Sequence, residues 1–174
     1  MFKISSLFIS LSIFVLSGCA VSLKMPDDYN GSDFSRIRVQ NSIDVLSMST
    51  YEKEGDCYKY IDKVSLGPGF NIMGVKSTTN KKIPSMTPPS EKMIGVDALE
   101  YKIKANQGVV ISYEIVKTTQ YNTITRPFIH KFIPEKGHDY DIYIGDTQTI
   151  NVYDLTDKKY ILTGWRKGDE TCGR

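Results

Sequence analysis

The residue types in this chain that could do chemistry are few and widely spaced. Three cysteines (Cys19, Cys57, Cys172) and two histidines (His130, His138) occur in 174 residues. His138 is followed by Asp139 and Asp141. A His beside two carboxylates offers ligands to a divalent ion, but the run lacks the paired His or paired Cys spacing of strong metal motifs. The two aspartates lie one pleat apart and would share a face, making a weak surface site at best. The favoured reading is a solvated turn, with no metal. His130 alternates with Phe128 and Phe132 and is expected to be a packed or edge imidazole. The chain has no G-x-S-x-G elbow, S-x-x-K pair, P-loop or dinucleotide glycine pattern. Gly67-Pro68-Gly69 is too short and too Pro-restricted to cradle a phosphate, and is expected to turn the chain. The acid pair Asp27-Asp28 lies in a polar stretch where nothing would perturb it. These residues predict a protein that is not an enzyme and carries no cofactor.

The N-terminus says more. Met1-Phe2-Lys3 is a short positive start, and Ile4 to Leu16 is an apolar run relieved only by serines. As a helix that run would reach about 20 Å, short of a bilayer core of about 30 Å, so it reads as a cleaved leader rather than a span. Leu16-Ser17-Gly18-Cys19 then closes it with small residues before a cysteine.

Those four residues resemble the lipobox of bacterial lipoproteins. The resemblance implies cleavage before Cys19, which becomes the new N-terminus and carries diacylglyceryl and N-acyl chains. Two or three acyl chains hold a protein stably on a membrane, where one holds it marginally. The next residue is Ala20 rather than Asp, which in Gram-negative lipoproteins implies sorting to the outer membrane. The expected location is therefore the cell envelope, at the periplasmic face or the surface.

With Cys19 given to lipid, Cys57 and Cys172 remain as an even pair in an oxidising compartment, and a disulfide is the simplest expectation. The alternative is two free thiols, but no His or Lys pattern nearby suggests an activated thiolate. Lys and Arg total 22, including Lys3 of the leader, against 20 Asp and Glu. That balance gives no electrostatic reason to invoke nucleic acid or a polybasic membrane contact.

The elements that must position these residues are strands. Val21 to Ser35 is polar, with Pro26, Asn30 and Gly31, and reads as a tether. From Arg36 onward the apolar pattern is repeatedly period-2. Val109, Ile111, Tyr113 and Ile115 form one face of a strand and are core candidates, while Tyr140, Ile142 and Ile144 alternate with Asp141 and Tyr143. Ala105-Asn106-Gln107-Gly108 and Pro134-Glu135-Lys136-Gly137 are turn signals. Lys76 to Lys92, with Pro84, Pro88 and Pro89, predicts a long exposed loop. A short helical segment is weighed near Asp97 to Tyr101. Eleven tyrosines add to the strand bias. The prediction is an all-β, antiparallel β-sandwich of immunoglobulin or transthyretin type: leader 1–18, lipidated cysteine and tether 19–35, and one domain 36–174. The stretch Phe132-Ile133-Pro134-Glu135-Lys136-Gly137, followed by Tyr140, resembles one found in small proteobacterial lipoproteins, which are typically sandwich domains.

The expected function is a membrane-anchored, non-catalytic binding or assembly module, held by acylated Cys19 near an envelope protein partner. An inhibitor or immunity-like protein that inserts a loop is the alternative, and a hydrolase a third. Candidate partner contacts are Tyr143, expected to point outward, Trp165 near the C-terminal tail, and Lys81 and Lys82 in the long loop. The bland reading of Trp165, a core plug under the disulfide, is the stronger.

Overall fold

The computed structural model describes residues 24–41, 46–67, 71–72, 75–76, 78, 80–162 and 170–172. Cys19 and Trp165 lie outside them. The strands are β1 (Phe34–Gln40), β2 (Ser47–Glu54), β3 (Cys57–Ser65), β4 (Asn71–Ile72), β5 (Val75–Lys76), β6 (Ala98–Lys104), β7 (Gly108–Thr118), β8 (Thr123–Phe132), β9 (Asp139–Ile144), β10 (Ile150–Asp154), β11 (Lys159–Tyr160) and β12 (Glu170–Thr171). They form two five-stranded sheets, β11-β10-β9-β1-β6 and β12-β3-β2-β7-β8, with β4-β5 as a separate small hairpin. All neighbours are antiparallel except β1-β9 and β3-β12. The protein is therefore a β-sandwich.

The core lies between the two sheets. Ile37, Val39, Tyr101, Ile103, Tyr140, Ile142 and Val152 of the first meet Met48, Val64, Val109, Ile111, Tyr113 and Phe132 of the second. The face predicted for β7 is the buried one, with Val109 and Ile111 fully buried. Phe132 and Tyr140 meet edge to face at 5.4 Å, an arrangement that aromatic quadrupoles favour. Asn106 turns the chain from β6 to β7 at φ 57°, a left-handed conformation that its short polar side chain tolerates.

Two local expectations are corrected. Asp97 to Tyr101 is not helical: Ala98 begins β6, and the helical turn sits upstream at Glu91–Met93. Strand pairing with β1 from Gln40↔Ala98 to Phe34↔Lys104 decides that segment. The second concerns the expected tether, of which residues 24–33 lie against the domain. The Ser65 amide donates to Lys24 O, the Lys102 amide to Asp28 Oδ1, and the Tyr29 amide to Lys102 O. Met25 packs on the core. The chain thus climbs from the Ser65 end of the sandwich to Phe34 at the other end before β1 begins.

The disulfide pairs Cys57 with Cys172 across 115 residues of sequence. It fastens the short parallel strand β12 beside β3, where the Cys172 amide also donates to Tyr58 O. Closing a loop of roughly 100 residues is worth about 4–5 kcal/mol in the chain-entropy model.

Candidate binding surfaces

Three strands of the first sheet, β6, β1 and β9, are buried on both faces. The inner face is apolar, whereas the outer face carries charge: Arg38, Glu100, Asp139 and Asp141 are all buried there. The pairing registers explain how they meet, since Arg36 lies opposite Asp139, and Arg38 lies opposite Asp141 on one side and Glu100 on the other. Arg36 holds Asp139 with two nitrogens, at 2.5 and 2.9 Å. Arg38 reaches Glu100 and Asp141, each at 2.9 Å.

These charges are buried because the segment from Lys81 to Val96 crosses them as a strap. The strap adds further hydrogen bonds to them, mostly from its backbone. The Ile83 amide donates to Glu100, the Thr87 amide and hydroxyl to Asp139, and the Ser90 amide to Asp141. In return Arg36 donates to Ser85 O and Arg38 to Thr87 O. The strap's own Ile83 and Met93 are buried, the latter with Ala98 and Tyr143. A buried charge is tolerable when it is paired and hydrogen-bonded, and every carboxylate of this ladder has both an arginine and an amide of the strap.

The expected solvated turn at Asp139 and Asp141 is therefore corrected: both carboxylates are buried parts of the ladder. The expected long exposed loop is irregular and largely exposed, as predicted, but from Lys81 on it is tied down against the sheet. Its lysines fasten it rather than present it. Lys81 pairs with Asp28 at 2.9 Å and lies 4.1 Å above the Tyr101 ring, and Lys82 reaches Ala98 O and Glu100. Desolvation pushes the Tyr101 phenol up to about 12. Tyr143 does point away from the core, opposite to Ile142, but it is covered by the strap and only 8% exposed. Burial, together with the hydroxyl contact to Tyr160 at 2.8 Å, raises its pKa.

Beside the strap two concavities meet at Lys92 and Tyr160. One, about 560 Å³, is walled by Pro88, Pro89, Tyr153, Leu155 and Tyr160. The other, about 360 Å³, has a more polar wall that includes Gln40, Asp146, Thr149 and Asn151. Tyr153 and Tyr160 are cross-strand partners and pack edge to face at 5.0 Å. Tyr160 remains half exposed. Ser90, at the groove's edge, keeps a buried Oγ with no hydrogen-bond partner. The sequence held no signal that separated these tyrosines from the rest; only the strap's placement makes a groove of them.

His138 meets other carboxylates than its sequence neighbours. Its Nδ1 lies 2.9 Å from Asp154 Oδ2, and donor atoms of His138, Asp154 and Asp157 fall within 4.8 Å of one another. The Asp154 hydrogen bond, the largest cause, raises the imidazole pKa. These groups serve a turn: Asp154 Oδ1 accepts from the amides of Thr156 and Asp157, and Asp157 pairs with Lys159. His130 is half-buried, and desolvation lowers its pKa. The cysteine pair is bonded, so neither sulfur is a thiol.

Among the described residues the outer face of the second sheet is covered only in part: Ser49, Tyr58 and Val110 are buried there, with Tyr51 and Ile133 packed on them, whereas its β8 side is open. Beyond Ser47, where β2 stops pairing, β7 and β8 continue together as a two-stranded arm to Thr118↔Thr123. Its exposed apolar side chains include Val116, Tyr121 and Ile124. Pro127 and Arg126 sit in β8, the outermost strand, where a missing amide and a charge discourage pairing with a further strand. Among the described residues no helix is long and apolar enough to cross a membrane. Comparison with protein-family models, with curated proteins and with solved structures finds no match to this chain.

Proposed function

We propose that the chain is a lipid-anchored, non-catalytic binding module of the cell envelope, and that it takes a protein partner in the groove beside the strap. The observation that carries this reading is the groove itself: an aromatic and proline-lined concavity whose wall is fastened from beneath by buried charges. A wall held in this way is pre-organised, and binding to it costs little ordering of the protein. Tyr at such a rim supplies apolar area with a polar end, as interface residues do. The leader that precedes Cys19 and the disulfide both suit an exported, oxidising location. Lipid would confine the groove to a surface and raise its effective concentration near membrane-bound partners.

The test is photo-crosslinking in cells from position 160, with position 59 on the other sheet as comparison. Each is placed in the lipidated chain and in a form exported without its anchor (Cys19→Ala). An envelope protein captured from position 160 of the lipidated chain alone is the expected result. One soluble enzyme captured from both forms would replace this reading with inhibition.

A further inference from the structure

The end of the sandwich that receives the N-terminal segment is also the end from which the arm projects. Ser65 closes β3 and pairs with Ser47, which in turn pairs with Ser112 of β7. The Ser65 amide holds Lys24 O at 2.8 Å, so the first described residue sits at this level. Beyond the same level β7 runs on from Tyr113 to Thr118, six residues or about 20 Å of strand. Its base is firm: Tyr113 stacks on Phe128 at 4.9 Å and donates to Gln148 O. The disulfide lies at the far end, beside Glu54.

Cys19 is five residues from Lys24, a reach of at most about 18 Å however the chain runs. If Cys19 carries lipid, this end of the domain is held within that distance of the bilayer, and an arm of similar length projects from it. The arm is furnished for such a surface. Tyr121 at its tip is 85% exposed, and Val116 and Ile124 are each more than half exposed. Register places them on opposite faces, since Ile124 pairs with Lys117 whereas Val116 pairs with Thr125. A docked protein would cover one face, whereas immersion in a fluid boundary covers both. Tyr favours the membrane interface, and Lys117 and Arg126 flank the apolar residues where headgroup phosphates would lie.

We infer that the β7-β8 arm is a second, non-covalent membrane contact whose ligand is the headgroup layer of the bilayer that holds the lipid. The inference rests on the anchored reading above. It gives the arm a task separate from the groove: fixing the orientation of the domain on the surface, which a flexible lipid link alone leaves free.

The experiment uses the full, processed lipoprotein in vesicles of phosphatidylethanolamine and phosphatidylglycerol, with and without brominated acyl chains. Tryptophan emission is compared among the parent chain, Tyr121→Trp, and Asp56→Trp in the turn at the far end. The emission added by Tyr121→Trp should be blue-shifted and lose most of its intensity to the brominated lipid, while that added by Asp56→Trp stays unquenched. Unquenched emission from position 121, or equal quenching at 121 and 56, would overturn the inference. Intact mass and vesicle flotation report the anchor separately. A protein that lacks acyl chains and fails to float defeats the anchored reading, whereas one that floats with position 121 unquenched defeats only the arm's role.

Discussion

The outer faces of the two sheets are built on opposite plans. On the first sheet, charged residues at alternate positions of β1 and β9 are buried beneath a strap and neutralise one another. On the second, only a small apolar cluster of Tyr58 and Val110 with Tyr51 and Ile133 is buried, while Tyr60, Val116 and Ile129 are more than half exposed. Chemical type would have suggested the reverse. The difference teaches that a sheet face is closed by whatever chain can satisfy it, and an irregular strap, whose amides and carbonyls are not committed to a ladder of their own, suits a charged face better than an apolar one. Ion pairs alone would not be strong evidence of stability. Here their geometry specifies where the strap lies, and hence where the groove opens.

That contrast is broken most directly at Arg38. Arg38→Met removes one partner each from Asp141 and Glu100 and leaves buried charge uncompensated, so unfolding in urea should show a loss of about 3–5 kcal/mol. Limited proteolysis near Ser85 should quicken at the same time, as the strap loosens. A loss under about 1 kcal/mol would mean that the ladder behaves like an exposed pair.

A smaller effect is expected at His138, where the first sheet's charge pairing continues into the β10-β11 turn. Its pKa is raised in the folded state, so its contribution is complete below the unfolded value of about 6.5 and fades as pH climbs through the raised one. His138→Gln should therefore cost about 1–3 kcal/mol at acid pH and less at alkaline pH. Denaturant melts at the two pH values check the sign; a cost that does not change with pH would assign the stabilisation to a neutral hydrogen bond. The smallest effect belongs to the open face. Ile129→Thr on β8 should shift stability by no more than about 0.5 kcal/mol, and a larger loss in urea melts would show that this face is covered after all.

Much of the second sheet was legible in the sequence, because its strands bury one face and alternate accordingly. Val109, Ile111 and Tyr113 declare that face, and the two cysteines left after Cys19 declare their own pairing. The first sheet was harder for a physical reason. Arg36 and Arg38, or Asp139 and Asp141, each taken alone look like the wet side of a strand, and their complementarity exists only in the register that brings β1 beside β9. The strap was missed with them, since its prolines and lack of period indicate an absence of regular structure and not an absence of contacts. Tyr143 was placed on the correct side of its strand, but nothing local indicated that Met93 and Val96 would cover it. The ordering of Lys24 to Asp33 was likewise hidden, because it depends on backbone groups of Lys102 and Ser65 far away in sequence.

The laying-down of residues 24–33 has a mechanical consequence. A pull on Cys19 would load the Lys24–Ser65 contact first and then the contacts of Asp28 and Tyr29 with Lys102, one after another, as a zipper opens. Ten residues would come free before force reached Phe34 and the sheet, paying out about 30 Å of extra line. On the proposed anchoring, the domain would be moored with slack in reserve, and a moving membrane would lengthen its leash before it strained the fold.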